Sequence, residues 1–332
     1  MKLIDFGVRE DEKKYIQEWS RDNNIEVKIV SDLLTPETVK LAQGYDGIVA
    51  YQQLPYDEKI FDVMNEYGIH VISLRNVGVD NVPLAALKRN NIRLTNVPSY
   101  SPEAIAEYSV AGLMALLRNF KHMFRKVDNH DFRWAPDTGR ELNELTVGVA
   151  GTGRIGRAAI KIYQGFGAKV IAFDKFHNPD IEKQDLYVDS LDTFLKNSDV
   201  VTLHIPSLGK GHTVINRDSI SEMKDNAIIV NSARGDLINT KDLYEAVANG
   251  KLYGAVMDVY ENEVGIFNTD LSDQEFKDDL LKKVIQSPRF ILTPHIAFYT
   301  TKAVKNMATI SLDSMVSELQ TGTSENEINL DK

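Results

Sequence analysis

The feature that most constrains this chain is a rhythm: short β-rich runs alternate with amphipathic stretches, in two successive series. In the first hundred residues the runs Leu3–Val8, Val27–Val30, Gly47–Ala50, Val71–Leu74 and Arg93–Asn96 are separated by the stretches Glu10–Trp19, Pro36–Ala42, Ile60–Tyr67 and Pro83–Lys88. Strands separated by helices pair through crossovers, so the alternation predicts an α/β fold with a parallel sheet. A helix beginning at Pro102 and a polar stretch, 128–143, lead into the second series: Thr146–Ala150, Lys169–Phe173, Val200–His204, Ala227–Asn231, Gly254–Asp258 and Phe290–Thr293. Six strands are the number a complete dinucleotide-binding fold uses. The segment Thr300–Leu319 has helical periodicity, and the polar tail Thr321–Lys332 after it is expected to be flexible. The charge-rich run Asp270–Lys283 reads as a solvated loop and helix face.

Composition narrows the function classes. A length of 332 residues suits roughly two domains of ~150. With 38 Lys and Arg against 48 Asp and Glu, the net charge of −10 argues against nucleic acid or an anionic membrane as partner. The chain has no cysteine, which excludes disulfides, thiolate metal sites and a cysteine nucleophile. The most apolar segment, Ala104–Leu117, is too short for a membrane span and reads as a buried helix. Lys2, Asp5 and Arg9 interrupt the first dozen residues, which lack the apolar run of a secretory signal, so the cytoplasm is the default. No H-E-x-x-H or comparable ligand spacing occurs, and no metal is expected.

Gly151-Thr152-Gly153-Arg154-Ile155-Gly156 is a G-x-G-x-x-G sequence, weak alone but here preceded by a predicted strand and opening a predicted helix, Arg154–Tyr163. In that context Gly151 permits the turn, Gly153 lets a pyrophosphate approach the helix start, and Gly156 brings helix against strand. Asp174 ends the next strand, where a carboxylate accepts hydrogen bonds from the adenosine ribose and repels a 2′-phosphate, which favours NAD over NADP; Lys175 beside it is the residue that would tolerate a phosphate.

Ligands of open parallel sheets bind beyond the carboxyl ends of the strands. After the glycine turn and Asp174, the remaining ends carry His204-Ile205-Pro206, Ser232-Ala233-Arg234-Gly235, the stretch from Asp258 to Glu263, and Pro294-His295. Arg234 offers a permanently charged, forked donor for a 2-oxo carboxylate or its carbonyl. His295 is the natural acid-base, and Glu263 or Asp258 is placed to hold its second nitrogen; spacing does not separate the two acids. His204 ends a strand and lines the cofactor pocket in this reading.

Several motifs together resemble the D-2-hydroxyacid dehydrogenases: Asn76-Val77-Gly78-Val79-Asp80-Asn81, Asn96-Val97-Pro98-Ser99-Tyr100-Ser101-Pro102, Gly151 to Gly156, Ala233-Arg234-Gly235, Met257-Asp258-Val259-Tyr260-Glu261 and Thr293-Pro294-His295. Tyr51-Gln52-Gln53, Arg133-Trp134-Ala135-Pro136, Glu263-Val264-Gly265-Ile266-Phe267 and Ala297-Phe298-Tyr299-Thr300-Thr301 are most similar to members from lactic acid bacteria. The resemblance implies NADH-dependent reduction of pyruvate to the D-hydroxy acid, with bulkier 2-oxo acids as the alternative; an NAD-sensing corepressor is the reading from another class. It implies that Arg234 binds substrate, His295 is the acid-base and Glu263 its partner. It also implies that the backbone at Val77 and Gly78 receives the substrate carboxylate, that Tyr100 reaches the site from a hinge, and that Tyr51 and Phe298 enclose the substrate side chain. The cofactor contacts it implies, beyond the three glycines, are Arg154, Ile155, Asp174, Ile205, Pro206, Ser232, Ala233 and Asp258. Two Rossmann-like or flavodoxin-like domains follow, a cofactor domain (101–297) inserted into a discontinuous substrate domain (1–100 and 298–332). A homodimer joined through the cofactor domains, with the helix Ala104–Leu117 as support, is the implied assembly.

Overall fold

The computed structural model describes residues 1–209 and 211–330, and the chain divides into two compact units, Met1–Ser101 with Tyr299–Lys332, and Pro102–Phe298. The first unit holds a five-stranded sheet of β1 (Lys2–Phe6), β2 (Glu26–Ile29), β3 (Gly47–Ala50), β4 (Val71–Leu74) and β5 (Arg93–Thr95). Its order is β2-β1-β3-β4-β5, and every pairing is parallel, as the alternation requires. β3 and β4 are buried on both faces, which is why they read as unbroken apolar runs rather than as alternating ones. Pro36–Ala42 forms a 3₁₀ turn over Thr38–Ala42, its buried Val39 and Ala42 three residues apart, the spacing that matches three residues per turn.

The C-terminal helix Thr301–Thr321 starts where the Thr300 hydroxyl accepts from the Ala303 N–H and stops at Gly322, φ +80°. Its Val304, Ala308, Leu312 and Met315 pack with Leu3, Ile16, Trp19, Val49 and Val71 of the same unit. The tail beyond it corrects the expectation of flexibility. Ile328 N–H donates to Leu94 O at 2.8 Å, Asn96 N–H donates to Asn326 O at 3.2 Å, and Ile328 and Leu330 pack on the core. β5 is an edge strand whose unpaired backbone groups take this segment, and two alternating apolar residues suffice to anchor it. Asp331 and Lys332 lie outside the described residues.

The second unit carries β6 (Thr146–Ala150), β7 (Lys169–Phe173), β8 (Val200–Leu203), β9 (Ala227–Asn231), β10 (Leu252–Met257) and β11 (Phe290–Leu292), all parallel in the order β11-β10-β9-β8-β6-β7. Beyond β7 a single bridge pairs Ala172 with Tyr187, a vestigial further strand too short for periodicity to reveal. Separate apolar cores cover the two faces of the sheet. The helix Pro102–Leu117 lies in one of them, and Gly112 lets it approach so closely that a Cβ there would sit 2.5 Å from Val256 Cγ1.

Candidate active site

β6 hands over to Gly151, whose φ of +93° only glycine adopts cheaply; a Cβ there would lie 2.4 Å from His204 O. A Cβ on Gly156 would fall 1.8 Å from Gly151 O, whereas one on Gly153 would meet nothing within 4 Å. The helix Arg154–Gly165 therefore begins at an open glycine, with no side-chain cap and no acid in its first turn. Uncapped and without an acid, this helix start fits a dinucleotide pyrophosphate. Arg154 is exposed and Ile155 half-buried at this start, and Ile205 and Pro206 follow His204 across the turn. Burial pushes the His204 imidazole down to about 4, so this ring is neutral at physiological pH, with its Nε2 2.9 Å from Thr202 Oγ1.

Asp174 leaves β7 beside the same turn. Its Oδ2 accepts from Thr152 N–H (2.5 Å) and Oγ1 (2.9 Å), and its Oδ1 accepts from Phe176 N–H (3.0 Å). Partial burial works against its charge, but these donors outweigh that effect and hold the carboxyl below its usual range. Thr152 Oγ1 also meets the Tyr187 hydroxyl at 2.7 Å, and the Tyr187 ring stacks on His177 at 3.9 Å. Neither Thr152 nor Tyr187 stands out in the sequence, because a hydroxyl in a glycine turn and a lone tyrosine in a loop carry no spacing signal.

At the end of β9, buried Asn231 clamps the next turn: its Oδ1 accepts from Ala233 N–H (3.0 Å) and its Nδ2 donates to Arg234 O (2.8 Å). Ser232 Oγ lies 2.8 Å from Ser109 Oγ, and Gly235 passes so close to Tyr260 that a Cβ would be 2.2 Å from its carbonyl carbon. Arg234 stands half-buried in this turn on extended backbone, with Nη1 donating to Ala233 O at 2.8 Å.

The turn after β11 and the stretch after β10 meet. His295 Nδ1 lies 2.7 Å from Glu263 Oε1, and the other carboxylate oxygen accepts from Tyr260 N–H at 2.9 Å. Both oxygens of Glu263 are thus committed to a fixed orientation, which fixes the ring and turns Nε2 away from the carboxylate. The geometry separates the two acids that spacing left together. Asp258, fully buried, spends its carboxylate on the loop itself, accepting from Thr293 Oγ1 (2.5 Å), Ile296 N–H (2.8 Å) and Ala297 N–H (2.7 Å). Phe298 meets the His295 ring edge-on, with centroids 6.4 Å apart.

The other sequence-predicted substrate contacts, Tyr51, Val77, Gly78 and Tyr100, lie in the first unit. Asn96 Nδ2 donates to Val77 O and Asn76 Nδ2 to Gly78 O, each at 2.6 Å, while among the described residues the N–H groups of Val77 and Gly78 meet no acceptor. A stapled loop with two adjacent unpaired N–H groups suits a carboxylate. Tyr51 lies under Arg9, 5.1 Å from its ring centroid, and Tyr100 O accepts from Asn306 Nδ2 at 2.7 Å.

Comparison with known proteins places the chain in a family. Residues 110–297 match the D-isomer specific 2-hydroxyacid dehydrogenase, NAD binding domain. The chain is 50% identical over 328 residues to a D-lactate/D-glycerate dehydrogenase of Pediococcus acidilactici (99% of each chain), and 46% identical over the whole of both chains to a D-lactate dehydrogenase of Lactiplantibacillus plantarum. Among solved structures, a D-2-hydroxyisocaproate dehydrogenase superposes with a TM-score of 0.91 at 40% identity, covering 99% of both chains. The NAD-complexed D-isomer specific 2-hydroxyacid dehydrogenase of Lactobacillus delbrueckii superposes at 0.86 and 34%, covering 99% of this chain and 100% of that one. The chain belongs to the D-isomer specific 2-hydroxyacid dehydrogenases and is an NAD-dependent oxidoreductase. Among the described residues no cluster of three or more His, Asp or Glu could hold a metal, and no helix is long and apolar enough to cross a membrane.

Proposed function

We propose that this protein reduces pyruvate to D-lactate with NADH, reversibly, and that the observation carrying the reading is the His295–Glu263 pair at 2.7 Å beyond the carboxyl ends of strands in the sheet whose β9 leads into Arg234. The D-lactate dehydrogenase names of relatives at 46–50% identity support the substrate. When bound, the reduced nicotinamide supplies the hydride. His295 Nε2 gives its proton to the carbonyl oxygen, Glu263 holds Nδ1 and so fixes the ring, and Arg234 binds the substrate and stabilises the developing alkoxide. Gly151, Gly153, Arg154, Ile155 and Gly156 hold the pyrophosphate, Asp174 the adenosine ribose, and Ile205, Pro206, Ser232 and Ala233 the remaining cofactor surface; Asp258, wholly buried with its carboxylate on the histidine turn, is withdrawn from the cofactor contacts. Val77 and Gly78 receive the substrate carboxylate, Tyr100 reaches the substrate from the hinge, and Tyr51 and Phe298 enclose its methyl group. In this reading 1–100 with 298–332 is the substrate domain and 101–297 the NAD domain.

The TM-score of 0.91 to a D-2-hydroxyisocaproate dehydrogenase favours one second reading, a preference for larger 2-oxo acids. NADH oxidation with pyruvate and 2-ketoisocaproate decides between them: a higher kcat/KM for pyruvate is expected, and Tyr51→Leu should move the ratio toward the larger acid by about ten- to a hundred-fold. A wild type that prefers 2-ketoisocaproate overturns the pyruvate assignment and leaves Arg234, Glu263 and His295 in their roles.

The assembly we propose is a cytoplasmic homodimer through the NAD domains, with its contact relocated. The helix Pro102–Leu117 spends its apolar residues on its own core. The helix Phe120–Asp128 and the loop after it instead expose Phe120, Phe124, Val127, Phe132 and Trp134, the kind of patch that marks a protein interface. Phe124→Glu with Trp134→Glu should halve the sedimenting mass; an unchanged mass sinks the interface.

A further inference from the structure

His295 has φ +58°, a left-handed conformation that a side-chain-bearing residue holds only when its surroundings impose it. Residue 258 does most of the imposing. The Asp258 carbonyl accepts from His295 N–H at 2.7 Å, and its carboxylate takes the N–H groups of Ile296 and Ala297. That carboxylate is wholly shielded from water, and among the described residues the one side chain that donates to it is Thr293, through its hydroxyl. Thr293 has a single hydroxyl proton and gives it to Asp258, so the Tyr108 hydroxyl, which hydrogen-bonds Thr293 Oγ1, must be the donor in that contact. The order is therefore fixed: Tyr108 O–H to Thr293, Thr293 O–H to Asp258, Asp258 to the backbone of His295–Ala297.

We propose that Tyr108 and Thr293 are positioning residues for the reaction: their two hydroxyls keep Asp258 ionised and oriented, and through it hold the histidine turn in its strained conformation. This inference rests on the reading of His295 as the proton donor. Burial pushes the Asp258 carboxyl up, and Thr293, Ala297, Ile296 and the His295 charge pull against it, so each donor removed favours the protonated form. Once protonated it accepts fewer hydrogen bonds, the turn relaxes, and the imidazolium loses a nearby negative charge. Among the described residues, the ionisable groups interacting with one another around the turn are Asp258, Glu263, Tyr108 and His295 itself; the Tyr108 phenol is pushed above its ordinary value by burial and by Asp258, and so stays a donor throughout the working range.

The test compares Thr293→Val, Thr293→Ser and Tyr108→Phe in the full-length enzyme, with His295→Ala as reference. Thr293→Val should lower kcat for pyruvate reduction about ten-fold, the worth of one charge-assisted hydrogen bond. The acid limb of its pH profile should also move to higher pH, because Asp258 then protonates more easily. Tyr108→Phe, which removes one oxygen, should act in the same direction by about three-fold, and Thr293→Ser should restore both kcat and the acid limb. In protein without cofactor or substrate, the amides of His295 and Ala297 should exchange hydrogen faster in Thr293→Val and Tyr108→Phe than in Thr293→Ser. An inactive His295→Ala beside a Tyr108→Phe with wild-type kcat, pH profile and exchange overturns the relay alone, even if Thr293→Val does not fold. A Thr293→Ser as impaired as Thr293→Val overturns it too. A His295→Ala that keeps a tenth of the activity strikes the acid-base reading itself, and the inference with it.

Discussion

The two sheets of this protein begin in the same way and then diverge. After β1 the chain turns at Gly7 (φ +67°), where a Cβ would lie 2.2 Å from Tyr51 O; after β6 it turns at Gly151 (φ +93°), where a Cβ would lie 2.4 Å from His204 O. Each glycine is pressed against the main chain leaving a neighbouring strand, β3 or β8, at the point where the strand order reverses. The difference lies in the helix that follows. The helix Glu10–Asn23 has three acids in its first turn, and Glu12, wholly buried, accepts from Arg9 N–H at 2.9 Å and lies 3.3 Å from Arg75 Nε. Arg75, also buried, pairs with Asp5 and donates to Gly7 O. In the first unit the helix's positive end and the crevice beside it are filled by the protein's own charges, whereas in the second unit Gly153 leaves both open. Two sheets of one architecture thus teach that an anion site is made by what is withheld after the first turn as much as by the glycine within it.

The largest expected effects separate the two regions by kind. His295→Ala should lower turnover by ~10²–10⁴-fold with little change in melting temperature, because it removes proton transfer while the backbone hydrogen bonds that hold the turn remain. Glu263→Gln should lower kcat for pyruvate reduction about ten-fold, since an amide holds the ring nitrogen by a weaker, uncharged hydrogen bond. Glu12→Ala should do the reverse of His295→Ala. Stripping a carboxylate from the buried Arg9–Arg75 cluster should cost about 3–5 kcal/mol of unfolding free energy while NADH affinity of the folded enzyme is retained. Denaturant titration and cofactor binding measured on one preparation check both. A Glu12→Ala protein of wild-type stability breaks the contrast, for the first crevice would then be filled without structural need.

The second region was the more legible in the sequence, and the reason is physical. A pyrophosphate site needs backbone, so its glycines sit at fixed spacing in one stretch from Gly151 to Gly156, and His295 and Arg234 announce themselves by chemistry at strand ends. The parallel sheets were equally readable because their strands are short apolar runs between helices. What sequence did not disclose are partners remote along the chain. Arg75 meets Asp5 70 residues away, Tyr108 meets Thr293 185 residues away, and Asn231 works on its own turn with an amide like any other. The choice of Glu263 over Asp258 as histidine partner likewise needed to know where each carboxylate's oxygens go. The tail after Gly322 misled because polarity says nothing about an open strand edge, which Ile328 and Leu330 find only in three dimensions.

A smaller effect should come from Asp174. If its carboxylate turns from Thr152 and Phe176 to the ribose, Asp174→Ala should weaken NADH binding by about ten-fold, as loss of a hydrogen bond to a charged group does. The same change should narrow the preference for NADH over NADPH, because the repulsion of a 2′-phosphate goes with the charge. Fluorescence titration with the two cofactors measures it. Equal wild-type use of NADPH would pass the role to Lys175.

The smallest expected effect bears most directly on the contrast between the two helix starts. Arg154→Asp puts an acid in the first turn of the helix Arg154–Gly165, where the helix Glu10–Asn23 already has three. An acid there stabilises a helix end by about 0.3–1 kcal/mol, so folding should not suffer and the melting temperature should hold or rise slightly. The same charge faces the position of the pyrophosphate and competes for the N–H groups that bind it. The dissociation constant for NADH should then rise by about three- to ten-fold, and the loss should shrink as salt is added, since a surface charge is screened over ~10 Å at 0.1 M. Titrations of wild type and variant at low and moderate salt give both quantities. Weakened binding with unchanged or improved stability is what the comparison requires of a helix start whose openness serves the ligand. Unchanged binding would mean that the glycine turn alone makes the anion site and that the filled start in the first unit is incidental to its having none.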